Sequence, residues 1–209
     1  MNLEIQPLAQ EQGPRLAEII ARAFRDYPAF RQYIHADLDG DDYKNVLRTT
    51  FEYFVDLTYA ADDPVIGAWI NNELVGGMLI RTPNSTDGGA DADSLNASFA
   101  RSVDTETYAR LEAFEAIMHE NEPQVGGGRY YIDTVAVDPG IQSSGFGRQM
   151  IEHVIRLSYE DPESVAVCLC TEAPENHSFY EHLGFEIVSS REIGPITTTS
   201  FLIRTPATD

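Results

Sequence analysis

A short run of glycine and hydroxyl residues in the second half of the chain has the composition of a phosphate-binding loop. The run is Gln142-Ser143-Ser144-Gly145-Phe146-Gly147, and Arg148 follows it. Its glycines permit a tight turn and let an anion approach main-chain N–H groups without a Cβ in the way. The helix predicted directly after it adds first-turn amides that have no intrahelical partner and the positive end of a helix dipole. The loop is therefore suited to hold a pyrophosphate.

Two common nucleotide-binding motifs do not fit this loop. A Walker A loop would place Lys and then Ser or Thr after its last glycine, whereas Gly147 is followed by Arg148 and Gln149. A dinucleotide fingerprint needs Gly-x-Gly-x-x-Gly, and this spacing is absent. By itself, a glycine pair between a strand and a helix is also typical of an ordinary corner in an α/β protein.

Other residues with useful chemistry lie on the elements that flank the loop. The segment Tyr131–Val137 is predicted to be a strand, and its period of two places Tyr131, Asp133 and Val135 on one face. Glu172 follows a second predicted strand, and Asn176 and Tyr180 are four residues apart, which makes them neighbours on a short helix.

The elements that position these residues can be predicted from periodicity. Strands are expected near Leu3–Ile5, at Val65–Ile70 and Leu74–Arg81 around an Asn71-Asn72 turn, at Val165–Thr171, and in two closing segments at 185–188 and 196–203. Apolar stripes predict helices after Pro14, from Asp41 to Tyr59, from Val103 to Glu120, and after the glycine loop. The segment from Thr82 to Ser98 is rich in small and polar residues and is expected to be a flexible insertion loop.

Taken in order, the strand, Gln-x-x-Gly-x-Gly, helix, strand, Asn-x-x-x-Tyr and Leu-Gly-Phe resemble the GNAT superfamily of acetyl-CoA-dependent N-acetyltransferases. The resemblance is dense from Tyr130 to Phe185 and only architectural outside it. It implies an α/β (α+β) fold with a mixed, mostly antiparallel twisted sheet, helices on both faces, and a splayed pair of parallel strands at the cofactor site. A single domain over residues 1–209 is expected, with 82–98 as its flexible loop.

The resemblance also assigns a cofactor, acetyl-CoA, and the residues that bind it. In the family, the main chain at Val135, Ala136 and Val137 holds the pantetheine arm. The loop holds the pyrophosphate through Gln142, Ser143, Ser144, Gly145, Phe146, Gly147 and Arg148. Asn176 and Tyr180 match positions near the thiol. Relatives often carry basic residues or glycine at the positions of Ser143 and Ser144, so this loop relies more on amides and hydroxyls.

The implied reaction is transfer of an acetyl group to a primary amine by direct attack. Tyr180 is predicted to protonate the departing thiolate, because a tyrosine hydroxyl keeps its proton at neutral pH. The group that deprotonates the amine stays open between Asp133, Glu172 and a water chain. Aromatic residues of the acceptor region, Tyr27, Phe30 and Tyr33, together with Tyr131, are predicted to bind the substrate.

Composition limits the partners. The formal net charge is −20 and Lys44 is the only lysine, which argues against nucleic acid and anionic membranes and favours a cationic, small-molecule amine. A cytoplasmic monomer or homodimer is expected. Cys168 and Cys170 are expected to be buried, and the histidines show no metal-ligand spacing. Two alternatives remain open: a non-catalytic acyl-CoA-binding sensing module with the same fold, and a protein or peptide N-acetyltransferase.

Overall fold

The computed structural model describes residues 3–141 and 144–205, which form a sheet of seven strands flanked by helices. The strands are β1 Glu4–Pro7, β2 Val65–Ile70, β3 Glu73–Arg81, β4 Gly128–Val137, β5 Ser164–Thr171, β6 Glu186–Ile193 and β7 Ile196–Arg204. Their order across the sheet is β1-β2-β3-β4-β5-β7-β6. The β4–β5 pair is parallel and the other pairs are antiparallel, so the predicted fold class is confirmed.

The helices cover both faces of this sheet. They are α1 Gly13–Ala23, α2 Gly40–Ala60, α3 Gly89–Ser102, α4 Thr105–Glu120, α5 Phe146–Glu160 and α6 His177–His182, with a π-helical turn at Ala29–Ile34. One core cluster packs α1 and α2 against residues such as Leu79, and the other packs α5 and α6 against residues such as Ile80. Adjacent strand residues serve opposite cores because side chains alternate along a strand.

The hairpin between β2 and β3 confirms the turn predicted from its asparagine pair. Asn71 and Asn72 both have positive φ, at 52° and 64°. Asparagine tolerates this left-handed backbone better than most residues, and two such residues in succession match the twist of a hairpin.

The prediction of an irregular loop over residues 82–98 is wrong from Gly89 onward, where α3 begins. The ring of Phe99 is buried and stacks on Tyr53 of α2 with centroids 4.3 Å apart, while the Tyr53 hydroxyl donates to Asn96 Oδ1 over 2.8 Å. These contacts to a distant helix stabilise a segment whose own periodicity is weak. Two helices, rather than the one expected, therefore connect β3 to β4.

The turn that precedes α3, at residues 82–85, is also held by a buried side chain. The Asp63 carboxylate accepts hydrogen bonds from the Thr82 amide at 3.0 Å and from the Ser85 hydroxyl. Over the described ranges, no helix combines the length and the apolar character that crossing a membrane requires.

Candidate active site

The central parallel strands separate at the point where chemistry-bearing side chains begin. Pairing between β4 and β5 runs from Gly128 to Ile132 on β4 and then ends. On the other side of β4, Leu79 of β3 pairs with Thr134 and Ile80 pairs with Ile132, which leaves Asp133 as the extra residue of a bulge. Because a bulge bends a strand and redirects a side chain, it opens the sheet here and turns Asp133 toward the opening. The splayed pair predicted from the sequence is confirmed.

A cavity of about 780 Å³ occupies this opening. Its walls come from five helices, α1, α2, α3, α4 and α6, from the π-helical turn, and from β3, β4 and the end of β5. The predicted site residues that line it are Tyr27, Phe30, Tyr131, Asp133, Val135, Ala136, Val137, Glu172, Asn176 and Tyr180. Such a volume is typical of small-molecule sites.

Tyr33 lies elsewhere, although the sequence placed it with the acceptor-site aromatics. Its ring packs against the buried cluster of Ile193 and Ile196, and it lies 3.1 Å from the position that a Cβ on Gly194 would occupy. It supports the β6–β7 turn instead of lining the cavity. Phe30, on the same π-helical turn, does line the cavity, and the spacing of the aromatic residues alone does not reveal this difference.

Glu172 is a buried carboxylate in the cavity wall. Only 6% of the residue is exposed, and its Oε1 atom has no hydrogen-bond partner within the described part of the chain. Its backbone N–H donates to the Tyr27 hydroxyl at 2.9 Å, and that hydroxyl also pairs with Thr171 Oγ1 at 2.9 Å. Desolvation raises the pKa of Glu172, opposed by interactions with the Thr198 and Tyr27 side chains. Glu172 is thus a more basic carboxylate than an exposed one.

Asp133, the other predicted base, is held by an arginine. Arg81 Nε lies 3.2 and 3.1 Å from its two carboxylate oxygens, and Arg81 also sits over the Tyr131 ring at 4.3 Å. The Asp133 side chain is 37% exposed to the cavity. Desolvation by the surrounding atoms raises its pKa, and Arg81 opposes the shift. The fork of Arg81 occupies both oxygens, which leaves Asp133 less able than Glu172 to accept a proton.

Arg81 also joins Asp133 to a buried ion-pair network. Its guanidinium lies 2.6 Å from Glu122 Oε1, and the other oxygen of that carboxylate pairs with Arg129. Glu122 is 6% exposed, so this charge needs its cations to remain buried. The network fixes Arg81, and through it the orientation of Asp133.

Tyr180 and Asn176 lie on the cavity wall at the start of α6. Tyr180 is 7% exposed and packs against Phe185 and Phe201. Burial and then the Glu172 carboxylate raise the pKa of Tyr180, so its hydroxyl stays protonated as a proton donor must. Asn176 terminates the short 3-10 turn before α6.

The glycine loop forms the entry to α5, as predicted. Gly145 is the N-cap with φ 76°, a conformation that favours glycine, and Ser144 Oγ donates to the Ile141 carbonyl over 2.9 Å. Phe146 is buried and anchors the helix, so only its main chain is available to a ligand. Arg148 is exposed and paired with Glu152 at 2.7 Å. Gln142 and Ser143 lie outside the described residues.

Several cavity residues were not found from the sequence; besides Arg81 and Glu122, they include Glu115 and Cys170. Glu115 of α4 lines the cavity, where desolvation and then the Asp133 charge raise its pKa to about 7. Cys170 also lines it, and its Sγ accepts a hydrogen bond from the Tyr131 hydroxyl at 2.9 Å, whereas Cys168 is fully buried as expected. The helical stripe of α4 identified its apolar face, but it did not show that the helix crosses the opening in the sheet.

No arrangement of His, Cys, Asp or Glu suitable for a metal ion occurs in residues 3–141 and 144–205.

Comparison with known proteins gives one family match. Residues 107–187 match the family model of the acetyltransferase (GNAT) domain. The match begins within α4, ends at the start of β6, and therefore contains the splayed strands, the glycine loop, Glu172 and Tyr180.

Solved structures share the fold over nearly the whole chain. A histone acetyltransferase HPA2-related acetyltransferase from Corynebacterium glutamicum is 19% identical with a TM-score of 0.69, covering 100% of this chain and 99% of that one. A Drosophila melanogaster polyamine N-acetyltransferase is 12% identical with a TM-score of 0.58, covering 97% and 100%. Arabidopsis thaliana Naa50, solved with a CoA-peptide bisubstrate analogue, is 14% identical with a TM-score of 0.53, covering 97% and 99%.

Proposed function

We propose that this chain, which belongs to the GNAT superfamily and is an acyltransferase, moves the acetyl group of acetyl-CoA to the primary amine of a small molecule. The comparisons confirm three predictions from the sequence: the resemblance to the GNAT superfamily, the acyltransferase class and acetyl-CoA as the cofactor. The observation that supports the acceptor class is the cavity of about 780 Å³, lined by aromatic rings and carboxylates, beside Glu172 and Tyr180.

The residues present fit acetyl-CoA. The end of β4–β5 pairing after Ile132 opens a strand edge beside the cavity, and main-chain amides at such an edge suit the amide-rich pantetheine arm. The first-turn amides of α5 suit the pyrophosphate, and a Cβ placed on Gly145 or Gly147 would meet no protein atom within 4 Å. Acetyl-CoA supplies an activated acetyl group on a thioester whose sulfur can leave as a thiolate.

Glu172 is the group that we assign to the amine proton. An alkyl ammonium has a pKa near ~10.4, so at pH 7 removing its proton costs roughly 4–5 kcal/mol. Glu172 lines the cavity, its Oε1 atom has no hydrogen-bond partner among the described residues, and we assign this carboxylate to accept that proton. Because Arg81 donates hydrogen bonds to both oxygens of Asp133, we assign Asp133 a positioning role in the cavity wall and not the role of base.

Tyr180 is assigned the opposite proton transfer. Its hydroxyl donates a proton to the departing sulfur, and its raised pKa keeps that proton in place until the sulfur carries charge. Glu172 raises the pKa of Tyr180 electrostatically, which is consistent with the two side chains facing the same space. Holding both reactants between them makes proximity a further contribution.

An acceptor screen tests the proposal. Purified protein with acetyl-CoA is offered polyamines, arylalkylamines, amino acids, aminoglycosides and peptides, and release of free thiol is followed. We expect turnover with small amines and little with peptides. Turnover confined to peptides would favour the protein N-acetyltransferase alternative. Cofactor binding without turnover of any acceptor would favour the sensing module. A cytoplasmic location and the oligomeric state stay predictions.

A further inference from the structure

The cavity has a strongly acidic wall. Its acidic lining residues are Asp63, Asp87, Glu115, Glu122, Asp133, Glu172 and Glu175, and its basic ones are Arg81 and His119. Three of these carboxylates are already satisfied inside the protein: Asp63 by Thr82 and Ser85, and Glu122 and Asp133 by Arg81. The other four have no ion pair among the described residues; of these, Glu172 is buried and Glu115 lies on the wall formed by α4. A ligand that enters this space is favoured if it is cationic.

One of these two carboxylates is buried and has an oxygen atom without a hydrogen-bond partner in the described part of the chain. Glu172 is nine-tenths buried, and its Oε1 atom lacks any hydrogen-bond donor within the described residues. A buried carboxylate oxygen without a partner is unusual, because buried polar atoms are nearly always satisfied. A hydrogen-bond donor on the ligand would satisfy this carboxylate, and a primary ammonium group carries three such donors.

The other carboxylate faces the same cavity from α4. Glu115 lies close enough to Asp133 and Glu112 for their charges to raise its pKa, after desolvation has raised it most. Carboxylates that repel one another in this way are relieved by a cation between them. Glu115 lines the cavity and has no ion pair among the described residues, so a second ammonium group would be stabilised there.

The two carboxylates are connected by one continuous wall. Thr198 interacts with the carboxyl of Glu172 and donates to Met118 Sδ at 3.2 Å. Glu115 is three residues before Met118 on α4, which is close to one helical turn, about 5 Å, along the axis. Tyr27 and Phe114 pack against the same buried cluster and give this wall an apolar surface.

We propose that the acceptor is an aliphatic diamine or polyamine, bound with its reacting amine at Glu172 and a second ammonium group at Glu115. The methylene chain lies along the aromatic wall between them, where apolar contact and ring faces favour it. This inference rests on the proposed function and adds the substrate class and the specificity-determining residue to it.

The test compares two amines that differ only in the second ammonium group, cadaverine and pentylamine. Thiol release gives kcat/KM for each amine in wild type and in Glu115→Gln. In wild type we expect cadaverine to be preferred by roughly 10-fold or more, the scale of a charge-assisted hydrogen bond. In Glu115→Gln the ratio of kcat/KM for cadaverine to kcat/KM for pentylamine should fall toward one, because the variant lowers kcat/KM for cadaverine more than for pentylamine. Glu115→Asp, which keeps the negative charge on a shorter side chain, should restore part of the preference for cadaverine.

The matched control is Glu106→Gln, which removes the same charge from the same helix, outside the cavity lining and away from the charges that act on Glu115, and should keep the wild-type preference. Equal turnover of the two amines by wild type would overturn the diamine inference and leave the proposed function standing. An undiminished preference in Glu115→Gln would overturn the assignment to Glu115. Absence of thiol release with both amines, and with every other amine screened, would overturn the proposed function as well.

Discussion

Replacing Glu172 by Gln should lower activity and raise stability together. The change keeps the shape of the side chain but removes the group that we assign to the amine proton. A general base typically contributes 10²- to 10⁴-fold, which is roughly 3–5 kcal/mol and comparable to the roughly 4–5 kcal/mol needed to deprotonate an ammonium at pH 7. We therefore expect kcat/KM to fall by about 10²-fold or more at pH 7.

Stability should move in the opposite direction because the pKa of Glu172 is raised by burial. The folded state then binds this proton more tightly than the unfolded state does, so folding loses stability as pH rises above the ordinary carboxyl pKa of 4.5. Gln carries no charge and removes this loss. At pH 7 the variant should equal or exceed wild type in stability, because its neutral amide avoids the cost of a buried charge, and the difference should shrink toward pH 4.

The assay pairs steady-state thiol release over pH 6–9.5 with thermal unfolding of the same samples. The activity deficit should narrow as pH approaches the pKa of the amine, since the free amine then no longer needs a base. Glu181→Gln, an exposed acid on α6 outside the cavity lining, serves as the matched control. A Glu172→Gln variant with full activity at pH 7, or with a deficit that does not change with pH, would refute the role of Glu172 as the base.

Three further predictions concern other parts of the structure. Tyr180→Phe removes only the hydroxyl and should lower turnover by roughly 10²-fold with little change in acetyl-CoA affinity by calorimetry; undiminished turnover would exclude Tyr180 as the acid. Gly147→Val places its Cβ where no atom from elsewhere in the described structure lies within 4 Å, so the fold should persist while the rise in Tm caused by CoA is lost. An unchanged shift would show that CoA does not use this loop. Gly145 is a poorer target because its φ of 76° strains any replacement. Burial, and then the charge of Arg110, lower the pKa of His35 to about 4. The unfolded chain therefore protonates His35 at a higher pH than the folded protein does, and stability is lost as pH falls from about 6.5 to about 4. Urea unfolding at pH 7 and pH 5 should show a loss of about 2 kcal/mol that is absent from His35→Gln; equal pH dependence in the two proteins would contradict it.

The sequence by itself determined the elements that depend on local physics. The period of two on β4 and β5, the apolar stripes of α1, α2 and α5, and the asparagine pair of the hairpin each follow from the chain's own covalent geometry. The glycine loop is also local, because its turn and the helix amides after it belong to consecutive residues. For these reasons the glycine loop and the helix after it could be predicted without the fold, whereas the assignment of acetyl-CoA to them came from the resemblance to the GNAT superfamily.

Only the tertiary structure decided how side chains from distant elements share the cavity. The bulge opposite Leu79 directs Asp133 to Arg81, while Glu172 remains without a hydrogen-bond partner at Oε1 among the described residues. Two carboxylates that the sequence left equivalent therefore have different surroundings, and we propose different roles for them. Glu115 enters the cavity because α4 crosses the opening between β4 and β5, and α3 forms because Phe99 stacks on Tyr53. These outcomes depend on desolvation and on contacts between residues far apart in the chain, and neither is encoded in the spacing of neighbouring residues.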